Sequence, residues 1–410
     1  MSPQAEVERK GANSNRPAAR ALSGATILQL VPALRDDPAS HAAIDIALTL
    51  LQAGARAIVA GEGGPLVGEL RAFGGEWLPM PNDTFNPLRI RGNARALAQL
   101  IAAERIDVVH AHSAGAAWSA LLATDRMPVF LVTSLADRLA GDSWPGTALR
   151  ASLSRGDRVI APSSFVSRAT IERYAIAPER VCVIPRAVDT ATFSPAAVTV
   201  ERIAGLRRAW GVLPHMRVVL VPGPIMQRNG QMTVIEAARL IVGGGERNIV
   251  IVFAGDDRTE PRTTSALRRR ARYHRIDTLC RFVGACADMP GALAAADVVL
   301  LPALAPPLSG HTAAQAQAMG RPVVVSSLGV LPENMLCPPR MPEDLRTGWL
   351  VRPGNVAELA RATSAALALD RTAYEALGAR ARQFAEFMFS PPNVAQAIRA
   401  VYTSLLARDA

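Results

Sequence analysis

Short aliphatic runs alternate with helix-period segments along almost the whole chain, and no other feature constrains the fold as tightly. In the first half, Ala25–Val31, Ala55–Ala60, Asp107–Ala111, Val129–Thr133, Arg158–Ala161 and Arg180–Ile184 read as strands. Helical patterns at Ala43–Gln52, Gly92–Glu104, Ala114–Ala123 and Phe165–Tyr174 separate them. A strand that is apolar throughout is covered on both faces, which predicts a parallel sheet between helical layers. The second half repeats the rhythm, with strands at Arg217–Val221, Asn248–Ala254, Arg281–Val283, Asp297–Leu301, Pro322–Val325 and Gly348–Val351. Its helices are Val234–Val242, Ser265–Arg275, Met289–Ala295, Thr312–Met319, Val356–Leu367 and Ala373–Phe387. At 410 residues the chain exceeds the roughly 250–300 at which a single core stops growing. The expected fold class is therefore α/β, with two doubly wound, Rossmann-like parallel-sheet domains facing a crevice. The polar stretch Asp189–Arg208 puts the boundary near residue 200, giving domains 23–200 and 201–390. Residues 1–22 read as a flexible arm. Within 391–410, the helix Asn393–Ala407 is expected to pack back across the junction.

Half of the residues are hydrophobic and 20% are charged, which excludes a disordered chain. Lys and Arg number 45 against 35 Asp and Glu, a net charge of +10. Such a balance favours anionic partners, although an Arg- and Ala-rich genome would produce it with no functional content. The most basic run is Arg268-Arg269-Arg270-Ala271-Arg272. On a helix it turns Leu267 and Ala271 inward and most arginines to water; docking to acidic lipid or to a protein is the alternative. It lacks aromatic interleaving, so nucleic acid is not an expected partner. Cys182, Cys280, Cys286 and Cys337 fit no zinc spacing and no disulfide framework. A cytoplasmic location is the default. No segment reaches the roughly 20 apolar residues of a spanning helix, which leaves peripheral contact with the inner membrane open.

Ligands of doubly wound sheets sit outside the carboxyl ends of the strands, so function is expected in the loops there. One such loop carries His110-Ala111-His112-Ser113. Residues two apart share a side of extended chain, but no third metal ligand is near. His112 is a candidate acceptor-site or base residue, against the ordinary expectation of histidines on a surface loop. Asp256 and Asp257, after Gly255, are expected to cap a helix.

Several phrases fall in the order and spacing of a known family. Ile184-Pro185-Arg186-Ala187-Val188-Asp189 with Phe193-Ser194-Pro195 resembles the phrase that ends the first domain of family-4 glycosyltransferases. Asp157-Arg158-Val159-Ile160-Ala161-Pro162-Ser163 resembles their fifth-strand segment. Glu236-Ala237-Ala238, Ala316-Gln317-Ala318-Met319-Gly320-Arg321-Pro322, Leu331-Pro332-Glu333 and Thr347-Gly348-Trp349 follow in order, so the resemblance covers roughly residues 24–390. It implies a GT-B architecture: an acceptor domain, then a nucleotide-sugar donor domain. It also implies transfer of a hexose from a nucleotide diphosphate to a glycan or lipopolysaccharide-type acceptor, with retention, with no cofactor and no metal.

The resemblance also implies donor-site residues, and here the chain departs from the pattern. In Gly223-Pro224-Ile225-Met226-Gln227-Arg228-Asn229-Gly230, Pro224 stands where the family has Arg and Asn229 where it has Lys. In Pro306-Pro307-Leu308-Ser309-Gly310-His311-Thr312-Ala313-Ala314-Gln315, Pro307 and Gln315 replace two glutamates. Ala136 replaces a His expected after the fourth strand, and Arg35-Asp36-Asp37-Pro38 replaces a Gly-rich turn. A charge-assisted hydrogen bond is worth about 1.5–3 kcal/mol, so losing two cations costs roughly 3–6 kcal/mol of diphosphate binding. The remaining donor-binding candidates are Gly223, Arg228, Asn229, Gly310, His311, Thr312, Gln315 and Glu333. Two expectations stand: a transferase with rearranged donor contacts, or a degenerate scaffold that binds a glycan, a lipid-linked acceptor or a partner glycosyltransferase.

Overall fold

A computed structural model describes residues 20–35, 37–125, 127–135, 151–307 and 309–407. Contacts divide the chain into two units. One runs to Pro162 and adds Val166–Ile184 and the chain from Ala395; the other holds Ser163–Phe165 and Pro185–Val394.

The first unit runs β1 (Thr26–Ala33), α1 (Pro38–Gln52), β2 (Arg56–Glu62), α2 (Leu66–Ala72), β3 (Glu76–Pro79), α3 (Pro87–Glu104) and β4 (Val108–Ala111). It continues with α4 (Ala114–Thr124), β5 (Phe130–Ser134), β6 (Arg158–Ala161), α5 (Ser164–Tyr174, in this unit from Val166 onward) and β7 (Val181–Val183). Its seven strands lie in the order β3-β2-β1-β4-β5-β6-β7, all parallel. The second unit runs α6 (Val200–Ala209), β8 (Arg217–Pro222), α7 (Gln231–Gly243), β9 (Ile249–Ala254), α8 (Pro261–Tyr273), β10 (Cys280–Phe282) and α9 (Met289–Ala295). Then come β11 (Val298–Leu301), α10 (His311–Ala318), β12 (Val323–Ser326), β13 (Gly348–Val351), α11 (Val356–Leu367) and α12 (Arg371–Phe389). Helix α13 (Pro391–Leu406) starts in this unit and belongs to the first from Ala395 onward. The strand order β10-β9-β8-β11-β12-β13 is again parallel throughout. Both sheets thus contain the Rossmann order, which reverses beside the first strand of each.

The central strands are buried on both faces, as their apolar runs predict; β9 is buried along its full length. One device recurs at the strand starts. Asp107, Asp157 and Asp297 each precede a strand and accept the backbone N–H of a residue near the start of the adjacent one: Thr26 at 2.7 Å, Leu131 at 2.8 Å and Val218 at 2.7 Å. The carboxylates thereby fix register where the apolar pattern alone is weak.

The structure differs from the sequence reading at several points. Strand β3 lies at the sheet edge with no buried residue, so no apolar run announces it. Helices α2 and α6 also escape the periodicity, since α2 has only seven residues and α6 buries none of its own fully. The units part at Pro185 rather than near 200, because Val188 and Val198 are already buried in the second unit's cores. Arg20 lies inside the expected arm, yet its backbone N–H bonds Leu406 O at 2.9 Å and its side chain pairs with Asp107 at 3.0 Å. Residues 1–19 of that arm lie outside the described residues. Asp256 accepts from the Arg258 backbone at 3.2 Å instead of capping a helix; α8 begins later, behind Glu260. On α8, Leu267 and Ala271 face inward as expected, while Arg270 pairs with Glu236 and Arg268 covers the Phe282 ring.

Candidate functional site

In the first unit, the order reverses between β1 and β4, and a cavity of about 270 Å³ opens at the carboxyl ends of β1 and β2. Arg35, Asp37, Ser40, Glu62, Asp83 and His112 supply its polar lining. His110 and His112 are both buried, at 0% and 6% exposure, which corrects the expectation of surface-loop histidines. Strand β4 is covered on both faces, so its last residues stay inside. The rings share one side, with centroids 4.1 Å apart. His110 lies 2.7 Å from Tyr402 Oη through Nδ1 and 2.7 Å from Ser134 Oγ through Nε2.

Gln29 donates through Nε2 to Ala43 O at 3.0 Å, so its Oε1, 2.9 Å from His112 Nε2, accepts. His112 therefore carries its proton on Nε2 and keeps a lone pair on Nδ1, which has no hydrogen-bond partner among the described residues. Burial pushes the His112 pKa down to about 4, and pushes His110 well below its usual value, helped by the neighbouring ring. A ring this weakly basic accepts a hydroxyl's hydrogen bond but does not keep its proton near neutrality. Among the described residues, no group of three or more His, Cys, Asp or Glu is placed to hold a metal.

In the second unit the residues singled out in sequence gather at the carboxyl ends of β8 and β11. Gly223 adopts φ +107 and bonds Ala254 O at 2.9 Å; a Cβ on Gly255 would stand 1.7 Å from Gly223 O, so two bare backbones meet there. Pro224 O accepts from Asn229 Nδ2 at 2.8 Å and Gln231 Nε2 at 2.9 Å. Asn229 thus closes the turn on itself, in the position where the family pattern puts a Lys. Arg228 O accepts from Leu304 N at 2.8 Å and Ala305 N at 3.2 Å, tying this turn to the segment that leads to α10. The Arg228 side chain is exposed, with no ion pair or hydrogen bond among the described residues.

Gly310 precedes α10, with its α-carbon against Asn334: a Cβ would stand 2.1 Å from Asn334 Oδ1. His311 Nδ1 is buried without a partner among the described residues, and its pKa is pushed down to about 3 by burial and by the charge of Arg186. Thr312 and Gln315 are half-buried, their side chains unbonded among the described residues. Pro307 accepts the Val330 N–H at 3.3 Å, a backbone role only. The Glu333 carboxylate is occupied by the backbone N–H groups of Ser164 and Phe165, at 2.7 and 2.5 Å, two residues that group with this unit.

Ala136 lies outside the described residues. The unannounced β3 shifts the strand count, so Ala136 follows the fifth strand, and 157–163 surrounds the sixth. Sequence reasoning missed Gln29, Asp83, Arg186 and Tyr402. Gln29 had a signal, a lone amide inside an apolar strand; Tyr402 had none, since only the tertiary fold brings it to His110.

Two Rossmann-like parallel-sheet domains with ligand-ready loops at their carboxyl ends define a GT-B protein. The fold is similar to a glycosyltransferase from Rickettsia africae, with TM-score 0.82 and 24% identity over 94% of this chain and all of that one. It is also similar to Anabaena HepE in complex with UDP, with TM-score 0.77 and 22% identity over 92% of this chain and all of that one. Residues 40–192 match the model of Glycosyltransferase Family 4, and residues 216–368 match that of Glycosyl transferases group 1. The chain belongs to glycosyltransferase family 4. A D-inositol 3-phosphate glycosyltransferase of Corynebacterium aurimucosum is 26% identical over 183 residues, 44% of this chain and 43% of that protein. The chain thus spans less than half the length of the curated relatives it matches first.

Proposed function

We propose that the protein transfers a hexose, with retention, from a nucleotide diphosphate to a hydroxyl of a cell-envelope glycan or lipid-linked acceptor. The second unit holds the donor and the first the acceptor. Work at the cytoplasmic face of the inner membrane, where lipid-linked acceptors are presented, belongs to the same proposal. Family membership and the UDP bound by the HepE relative in fold support it. A diphosphate leaving group gathers negative charge as the glycosidic bond breaks, and fixed cations and oriented N–H groups stabilise it.

Arg228 carries the proposal: its guanidinium is exposed and, among the described residues, unengaged in the β8–α7 turn, one residue before the Asn that stands in the family's Lys position. The N-terminus of α10 adds about 0.3–1 kcal/mol. Titrating UDP, GDP and their sugars into the protein and into Arg228→Ala tests it. The variant is expected to lose about tenfold in affinity, the share of one charge-assisted contact. No heat with any nucleotide overturns the proposal.

A second reading, a scaffold without catalysis, is favoured by one observation: Asn229 and Pro224 are bonded to each other and leave that turn with Arg228 as its cation. The nucleotide titration decides between the two.

A further inference from the structure

The first-unit cavity carries a charge pattern that no comparison assigns. Its guanidinium, Arg35, is paired with Glu62 at 3.3 Å. The N-terminus of α1, the natural seat for an anion in such a loop, is already filled by the chain itself. Asp37 accepts the Ala39 and Ser40 N–H groups at 2.9 and 3.0 Å, and Pro38 has no N–H to offer. Asp83 lines the same cavity, exposed and with no ion pair or hydrogen bond among the described residues. His112, over nine-tenths buried, lines it too, with Nε2–H held by Gln29 and Nδ1 without a hydrogen-bond partner among the described residues. Among the described residues, one free carboxylate, a self-filled helix terminus and a neutral acceptor nitrogen therefore face a space just below the roughly 300 Å³ at which ligand pockets begin. That space suits one sugar ring.

We propose that this cavity binds the terminal ring of the acceptor as an amino sugar, its ammonium group opposite Asp83 and a hydroxyl donating to His112 Nδ1, and that it rejects phosphorylated polyols. The inference rests on the transferase reading in taking the occupant to be the acceptor. A phosphate would meet Asp37 and Asp83 with Arg35 already engaged, and like charges facing each other disfavour a complex.

Calorimetric titration of the full chain with glucosamine, glucose and an inositol phosphate, with UDP in parallel, tests the proposal. Glucosamine is expected to bind about fivefold tighter than glucose, and the inositol phosphate not at all. Asp83→Asn, at an exposed position, is expected to abolish the glucosamine preference over glucose, with UDP binding in the second unit as the control for an intact fold. Asp83→Lys is expected to admit the inositol phosphate. The proposal is overturned if the inositol phosphate binds the unaltered chain as tightly as glucosamine, if the preference survives Asp83→Asn, or if neither sugar binds. An amino-sugar preference without nucleotide heat upholds the cavity assignment and overturns the transferase reading.

Discussion

His110, His112 and His311 sit in surroundings where an imidazolium would lose its water, and all three are held below the ordinary histidine value, His112 at about 4 and His311 at about 3. In the unfolded chain the same rings take up protons from about pH 6.5 downward. Unfolded molecules then bind more protons than folded ones, so stability is complete above pH 6.5 and falls as the pH drops toward 4. Each ring contributes a slope of about 1.4 kcal/mol per pH unit. Carboxylates held low by arginine, Glu236 by Arg270 and Asp288 by Arg202, lose their stabilisation only nearer pH 4. Urea unfolding followed by circular dichroism is expected to give a constant midpoint from pH 8 to 7 and a steep fall between 6.5 and 4.5. His112→Gln should make that fall shallower by about one ring's slope. A flat profile down to pH 5 would mean that the rings are charged or solvated in the folded protein.

Among the elements, the β8–α7 turn depends most on a single residue type. Gly230 has φ +74, and a Cβ there would stand 1.9 Å from Pro302 O, so backbone rather than a flexible side chain blocks it. Gly230→Ala combines that clash with a left-handed backbone that costs a residue with a Cβ about 1–2 kcal/mol. It is expected to lower the melting temperature and to abolish nucleotide heat by forcing the turn away from the 302–305 segment. An unchanged titration would show that the turn does not shape the donor site. Gly230 was visible in sequence as part of a family phrase; its necessity was not, because Pro302 is 72 residues away along the chain. The same distinction runs through the fold. Strands buried on both faces, such as β9, announce themselves in their composition, whereas edge strand β3 and the surface helix α6 have too little buried surface to leave a pattern. The site was legible where chemistry-bearing residues cluster locally, as at His110–Ser113. It was illegible where the fold supplies the partner, as Tyr402 does for His110.

At the scale of the molecule, the same strand order is built twice, and the first unit is completed by residues from the far end of the chain. Ile398, Val401, Tyr402, Leu405 and Leu406 of α13 are all buried, and Tyr402 is fully so. At about 1.5–3 kcal/mol for each large apolar side chain, their contribution rivals the roughly 5–15 kcal/mol that holds a domain folded. A chain ending at Val394 is therefore expected to melt in two steps, the first unit well below the second, with proteolysis mapping early cuts to residues 20–184. A single transition at the original temperature would show α13 to be dispensable. Tyr402→Phe is expected to cost about 1–3 kcal/mol by leaving His110 Nδ1 without its partner.

The return of α13 also sets a timetable on the ribosome. Nascent domains ordinarily close as they emerge, amino-terminal part first. If the truncated chain melts as expected, the first-made sheet is complete only once the residues beyond Ala395 have been translated, while the second sheet can assemble in the meantime.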